Sequence, residues 1–356
     1  MAGIKDVAQE AGVSVGTVSN VLNGRKGRTS TETRARVLAA VEKLQYTPNA
    51  AARQLKSGLT QTLGLVVPSV ANPFWGAVSH HVERAALEFG YKVLVCNAER
   101  EVAREATYAE DMLGSSIRGV IFGSSPVSMD HLRDLAARGL RVAAFDRRSR
   151  GASGVVACSV SIDQELGGRF AARHLIGLGH QRIAFVSGPI STSSRIGRLA
   201  GLRAAMEEAG LVLEDRHIWQ GATRPGFGDT EGAQLGRAAV RELLAQRDPP
   251  TAIFTANDMY ALGAYAGARD IGARVPGDIS IVGFDDIVFA EIMQPPLTTI
   301  RQPIGRMSEI IVRRLIHDLE DGRRGDAGGG AHVDITPELV VRASTAPPPD
   351  HGRGNS

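Results

Sequence analysis

Residues 4–22 read Ile4-Lys-Asp-Val-Ala-Gln-Glu-Ala-Gly-Val-Ser-Val-Gly-Thr-Val-Ser-Asn-Val-Leu22, two short helical patterns separated by a glycine. In the first, Ile4, Val7, Ala8 and Ala11 recur at the helix period. Gly12 supplies a sharp turn. Ser14 is a good N-cap for a second helix, Val15–Leu22, with Val18, Val21 and Leu22 on its inner face. Two short helices across a Gly-containing turn make the helix-turn-helix unit, whose second helix enters the DNA major groove by its N-terminal end. Val15, Gly16, Thr17 and Asn20 then face base edges, while Ser14, Ser19 and Asn23 reach phosphate or neighbouring edges. A helical hairpin in a plain bundle would show the same pattern, so these residues alone leave two readings open.

The flanking sequence supports the first reading. Thr29-Ser-Thr-Glu32 offers a capping box, and Val37, Leu38, Val41 and Leu44 make the apolar stripe of a third helix to about Gln45. Residues 1–60 hold nine Lys/Arg against four acids, a net of +5, whereas the rest of the chain carries −2. A small basic head on a near-neutral body suits an anionic partner, although a merely solvated basic face would look the same.

Beyond the head the pattern changes. Short β-rich runs at Leu63–Val67, Lys92–Cys96, Gly119–Phe122, Val142–Phe145, Arg182–Val186, Ala252–Thr255 and Ile279–Phe284 alternate with helix-length segments such as Gly76–Gly90 and Met259–Gly272. That alternation predicts parallel α/β sheets with helices on both faces, and the series is long enough for two lobes. The chain has 356 residues, so two or three domains are expected. No apolar run reaches the roughly 18–20 residues that span a bilayer, and the N-terminus lacks a signal-peptide core, so a cytoplasmic, nucleoid-associated protein is expected. Cys96 and Cys158 have neither CxxC nor metal spacing and read as reduced core thiols. No GxGxxG with a following acid, GxxxxGK[ST] or HExxH occurs, and no GxSxG forms a strand-to-helix nucleophile turn (Gly12-Val-Ser-Val-Gly16 lies between two helices), which argues against an enzyme and against a bound cofactor. The adjacent His80-His81 reads as surface rather than as a metal site.

The run Ile4–Ser14, the segments Thr17-Val-Ser and Val21-Leu-Asn-Gly24, then Glu32-Thr-Arg-Ala-Arg-Val37 and Tyr46-Thr-Pro-Asn-Ala-Ala-Ala-Arg53, together resemble the lactose-repressor (LacI/GalR) family. The resemblance extends over nearly the whole chain. It implies a helix-turn-helix domain over 1–48, a hinge helix and linker over 49–60, and an effector-binding, dimerising core over 61–346 of periplasmic-binding-protein type, followed by a disordered tail over 347–356. In the hinge, Asn49, Ala52, Arg53 and Lys56 are implied DNA contacts, and Leu55 takes the place of an apolar wedge in the minor groove. Such a wedge unstacks and kinks the duplex. A hinge of seven or eight residues is too short for a stable isolated helix, so free in solution it would be a linker. Two departures bear on the operator. Asn20, which favours adenine, stands where many relatives have arginine, and the loop Gly24-Arg-Lys-Gly-Arg28 is one residue longer than usual. Arg25, Lys26 and Arg28 there read as phosphate contacts.

The implied core has two lobes that close on a small molecule, with chain crossings expected near 160–163, 288–293 and 320–325. The N-lobe is then about 61–161 plus 292–322, and the C-lobe about 162–291 plus 323–346. Effector candidates fall at strand ends, where such sheets bind ligands. They are Asn72 and Phe74 after the first strand, Asp146 after the fourth, Arg198 in Ser193-Ser-Arg-Ile-Gly-Arg198, Asn257 before Asp258, and Asp285 in Gly283-Phe-Asp-Asp286. Asp258 reads as a helix N-cap and Trp75 as core. Where many relatives place a stacking aromatic, this chain has Thr223, with Phe227 displaced from that position. Carboxylates and amides beside an arginine suit a polyhydroxylated sugar or sugar derivative, with a purine as the alternative. The expected partners are operator DNA, that effector and a second copy of the chain. A plain solute-binding protein is the competing class, but it would have no use for the basic head.

Overall fold

The computed structural model describes residues 2–22, 29–46, 60–123, 128–146, 155–222, 231–321 and 331–349. Two compact units are present, Met1–Thr60 and Gln61–Ser356.

The first unit holds α1 (Ile4–Glu10), α2 (Val15–Leu22) and α3 (Thr31–Lys43). Each start is capped, the third by Ser30, one residue after the Thr29 of the expected capping box. The Gly3 amide donates to the Asp6 carboxylate at 2.7 Å, the Thr17 amide to Ser14 Oγ at 3.1 Å, and the Thr33 amide to Ser30 Oγ at 3.2 Å. Gly12 adopts φ +62°, the left-handed turn that ends α1. Arg36 of α3 reaches back across that turn, its Nη2 donating to the Ala11 carbonyl at 2.9 Å and the Gly12 carbonyl at 3.3 Å. Val7, Ala8, Ala11, Val18, Val21, Val37 and Ala40 are buried together, with Val41 and Leu44 packed against them, whereas Leu38, expected in the apolar stripe, is exposed and Ala40 takes the inner position. The third helix stops at Lys43, two residues short of expectation, because Gln45 turns into the left-handed region at φ +46°.

In chain order the second unit comprises β1 (Thr62–Val67), α4 (Pro73–Glu88), β2 (Lys92–Asn97), α5 (Val102–Gly114), β3 (Gly119–Phe122), α6 (Arg133–Ala137), β4 (Arg141–Phe145) and β5 (Val156–Ile162). It continues with α7 (Gln164–Gly177), β6 (Ile183–Ser187), α8 (Ser193–Glu208), β7 (Ile218–Gln220), α9 (Glu231–Leu244), β8 (Ala252–Thr255), α10 (Asp258–Asp270) and β9 (Ser280–Asp285). The last elements are α11 (Val288–Ile292), β10 (Thr298–Arg301), α12 (Ile304–Asp321), β11 (Ala331–Ile335) and β12 (Glu338–Val340). One sheet has the order β11-β5-β4-β3-β1-β2 and is parallel throughout; the other has the order β12-β10-β9-β8-β6-β7, with only β12 antiparallel. The sheets are the floors of two α/β lobes. Runs such as Leu63, Leu65, Val66 and Val67 are fully buried, as strands covered on both faces must be.

The lobe boundaries differ from those read in the sequence. The first crossing lies at 162–164. Strand β10 extends the second sheet beside β9, and only then does α12 pack on α4, β4 and β5 of the first lobe, so the second crossing is at 302–303. Strand β11 pairs with β5 in the first sheet before β12 returns to the second, which puts the third crossing at 336–337. The resemblance implies these crossings near 288–293 and 320–325. Strand pairing, which decides lobe membership, continues past both.

Candidate functional site

In the head, Ser14, Val15 and Gly16 are exposed, and Thr17, Ser19 and Asn20 are half-buried, while Val18 and Val21 are sealed in the core. The polar side of α2 is therefore available to a ligand. Asn23, Arg28, Asn49, Ala52, Arg53, Leu55 and Lys56 lie outside the described residues.

In the core, strand ends from both sheets converge on one cleft between the lobes, with a volume of about 410 Å³ including its open mouth. All six effector candidates line it: Asn72, Phe74 and Asp146 from the first lobe, and Arg198, Asn257 and Asp285 from the second. Arg198 sits at its centre, 5% exposed. Its Nε donates to Gln164 Oε1 at 2.8 Å, its Nη1 to the Ala256 carbonyl, and its Nη2 lies 3.7 Å from Asp285 Oδ1. The guanidinium also lies over the Phe284 ring, 3.5 Å from the centroid. Gln164 passes the network on by donating to Asp146, and Gln302 Nε2 donates to Asp285 Oδ1 at 2.8 Å. Gln302 Oε1 is buried without a hydrogen-bond partner, an acceptor facing the cleft.

Two candidates do more than line the cleft. Asn72 caps α4 by accepting the Phe74 amide at 3.0 Å, and Asn257 caps α10 by accepting the Met259 amide at 3.1 Å. The expectation that Asp258 is the N-cap is thus corrected by one residue. Asp258 is the first helical residue, fully buried, and accepts the Thr299 hydroxyl at 2.7 Å and the Ile287 amide at 2.9 Å. Trp75 is both core and wall, 5% exposed, with Phe74 edge-on at 4.9 Å and Gly123 beneath its ring.

Reasoning from sequence missed Arg100, Ser194, Arg195 and Gln302, all of which line the cleft. Ser194 and Arg195 lie inside the segment already singled out, at the first turn of a helix that starts in the cleft. Gln302 marks the second crossing, so the misplaced boundary hid it. Arg100 follows β2 in a charged loop with no motif to flag it.

Burial dominates the electrostatics. It pushes the Asp146 carboxyl up from 3.8 to about 6, outweighing the Arg198 charge and the Gln164 hydrogen bond. It also raises Asp285 well above the ordinary carboxylate range, again against Arg198. Between the two Asp146 values the unfolded chain has already released a proton that the folded chain still holds. This group's contribution to stability is therefore full below pH 3.8 and is lost as the pH rises through 6. Asp146→Asn carries no such proton. Its stability relative to the parent is expected to rise by about 2 kcal/mol between pH 4 and 7. Chemical denaturation at each pH reads that difference, and a flat profile would contradict a desolvated carboxyl.

Among the described residues, no helix is long and apolar enough to cross a membrane, and no cluster of three or more His, Cys, Asp or Glu could hold a metal ion. Residues 3–49 match the family described as bacterial regulatory proteins, lacI family, and residues 172–345 the periplasmic binding protein-like domain. The chain is 37% identical to the HTH-type transcriptional regulator DegA of Bacillus subtilis, over 97% of this chain and 98% of that one. It is 36% identical to the HTH-type transcriptional repressor PurR of Photobacterium profundum, with the same coverage. Among solved structures, a lac repressor dimer bound to operator and the anti-inducer ONPF matches with a TM-score of 0.79 at 29% identity, covering 97% of this chain and 99% of that one. A complex of the transcriptional regulator CelR with cellobiose matches with a TM-score of 0.69 at 30% identity, covering 97% and 100%. With a helix-turn-helix head, a two-lobed core and relatives of this identity along its whole length, the chain belongs to the LacI family of bacterial transcriptional regulators.

Proposed function

We propose that this regulator is a repressor that binds a palindromic operator as a dimer and is switched by a sugar or sugar derivative held between the lobes. The observation that carries the effector reading is the convergence of Asp146, Arg198, Asp285, Asn257 and Gln302 on one cleft with Phe74 and Trp75 in its wall. Carboxylate and amide oxygens accept from ligand hydroxyls, the guanidinium donates to them, and the aromatic rings face the apolar side of a pyranose or furanose. Solved relatives carry such ligands: cellobiose in the CelR complex and ribose in a LacI-family regulator from Enterococcus faecium. Because the cleft is lined from both lobes, a ligand that touches both holds them at one angle, and that angle is the quantity an effector can bias. Action on an operator places the protein with the nucleoid.

Selection from a randomised duplex library with the unliganded protein tests the DNA half. Enrichment of an inverted repeat supports a dimeric reader, while no enrichment, repeated with metabolites added, would overturn it. For the other half, a panel of pentoses, hexoses, disaccharides and nucleobases is titrated in a Trp219→Phe background. Trp75 is then the only indole and lies in the cleft wall. A nucleobase as the only ligand would replace the sugar reading.

The hinge makes its own prediction. Leu55→Ala is expected to weaken binding to the selected operator by about thirtyfold or more, the equivalent of about 2 kcal/mol lost with an apolar wedge. Binding to random duplex, which rests on phosphate contacts, should hardly change. Equal losses on both duplexes would rule out a wedging Leu55.

A further inference from the structure

The turn that follows β9 is an unusual platform for a ligand residue. Asp285 has φ +105° and the adjacent Asp286 φ +54°, two consecutive non-glycine residues in the left-handed region. Such a conformation persists only where neighbouring structure holds it. Three sets of ties hold this turn. Gln302 donates to Asp285 at 2.8 Å, and Asp286 pairs with Arg301 and Arg342, each at 2.7 Å. The third tie comes from below, from Asp258.

We propose that Asp258 is a positioning residue of the effector site, its carboxylate fastening the turn that presents Asp285 to strand β10. This rests on the cleft being the effector site. Asp258 Oδ2 accepts the Ile287 amide at 2.9 Å, and its Oδ1 accepts the Thr299 hydroxyl at 2.7 Å. One carboxylate thereby joins the far end of the turn to the strand that runs on to Arg301 and Gln302. The side chain is fully buried and lies directly under β9, where a Cβ on Gly283 would stand 2.0 Å from Asp258 Oδ1. Glycine at 283 is what lets the carboxylate come this close. Burial pushes the Asp258 carboxyl up to about 7, against the Thr299, Ile287 and Phe284 donors that favour its charge, so an oxygen that accepts from each of them is what fits the site. An asparagine would place an NH₂ among those donors.

The test uses the full chain with Asp258→Asn, Thr299→Val and Thr299→Ser, each read in three ways. Amide hydrogen exchange is followed at Ile287 and, as an internal control, at Ile281 and Val282 within β9. Affinity for D-ribose and D-glucose is read from Trp75 fluorescence in the Trp219→Phe background, and operator affinity from a gel shift. The expected result for Asp258→Asn and Thr299→Val is at least tenfold faster exchange at Ile287 with the β9 interior unchanged. Sugar affinity should fall at least tenfold, and operator affinity should stay within twofold. Thr299→Ser, which keeps the hydroxyl, should behave as the parent. Unchanged exchange at Ile287, or an equal rise throughout β9, would overturn the positioning role, as would unchanged sugar affinity in a parent that binds either sugar. If the parent binds neither sugar, the sugar reading of the cleft fails, and the exchange data still decide whether Asp258 holds the turn.

Discussion

Asp285→Ala is expected to abolish the response to effector while leaving operator affinity intact. Asp285 is 5% exposed and lies opposite Arg198 at 3.7 Å across the cleft wall. A hydrogen bond to a charged group contributes about 1.5–3 kcal/mol, and a carboxylate bridging two ligand hydroxyls makes two of them. Their loss corresponds to at least about 100-fold in effector affinity. Arg198 keeps Gln164 and the Ala256 carbonyl, so alanine does not strand it as a lone buried charge. Two variants separate the causes of the loss. Alanine is strained at φ +105°, whereas asparagine tolerates the left-handed region and keeps an acceptor for Gln302. Asp285→Asn should therefore lose less, about 10- to 100-fold, with the difference assigned to the charge. The readouts are operator release in a gel shift and Trp75 fluorescence on titration. An unimpaired response in the alanine variant would remove Asp285 from the site, and a joint loss of operator binding would mean the fold had failed.

The strands that carry the site were largely legible because each is a short run of β-branched or aromatic residues with a polar residue at its end. Val142–Phe145 followed by Asp146 and Ala252–Thr255 followed by Asn257 have this form, and both Asp146 and Asn257 line the cleft. The same rule fails where no strong run precedes the residue. Arg100 lies in the loop after an edge strand whose Leu94 and Val95 are exposed, so hydrophobic pattern says little about it. Gln302 follows Thr298-Thr-Ile-Arg301, a strand of four residues hidden behind two prolines. Asp258 shows a different limit. A polar residue at a helix start is a cap in most sequences, and only the fold brings Thr299 and Ile287, 41 and 29 residues away, onto its two oxygens. In the head, periodicity and caps are local, and the three helices followed from sequence to within two residues.

Gly201→Val should be severely damaging to the second lobe, because it acts where two helices touch backbone to backbone. A Cβ on Gly201 of α8 would stand 2.0 Å from the Glu165 carbonyl oxygen of α7 and 2.8 Å from the Arg169 amide. On the facing helix, a Cβ on Gly168 would stand 2.3 Å from the Arg198 carbonyl oxygen. Neither neighbour is a flexible side chain, so the helices must move apart by most of a side-chain diameter. Overpacking of this kind costs about 3 kcal/mol or more, and in a domain of this size that lowers the Tm by about 5 °C or more. The functional consequence follows from the same contact. Arg198 reaches Gln164 only while α8 lies this close to α7, so any surviving Gly201→Val protein should bind effector far more weakly than its loss of stability alone explains. Gly76→Ala is the control. Its Cβ would meet nothing within 4 Å, and exchanging glycine for alanine inside a helix stabilises by up to about 1 kcal/mol. Thermal unfolding of the two variants beside the parent decides the point. A Gly201→Val protein that melts with the parent would mean that α7 and α8 do not rely on their glycines for close approach, and the placement of Arg198 would then need another cause.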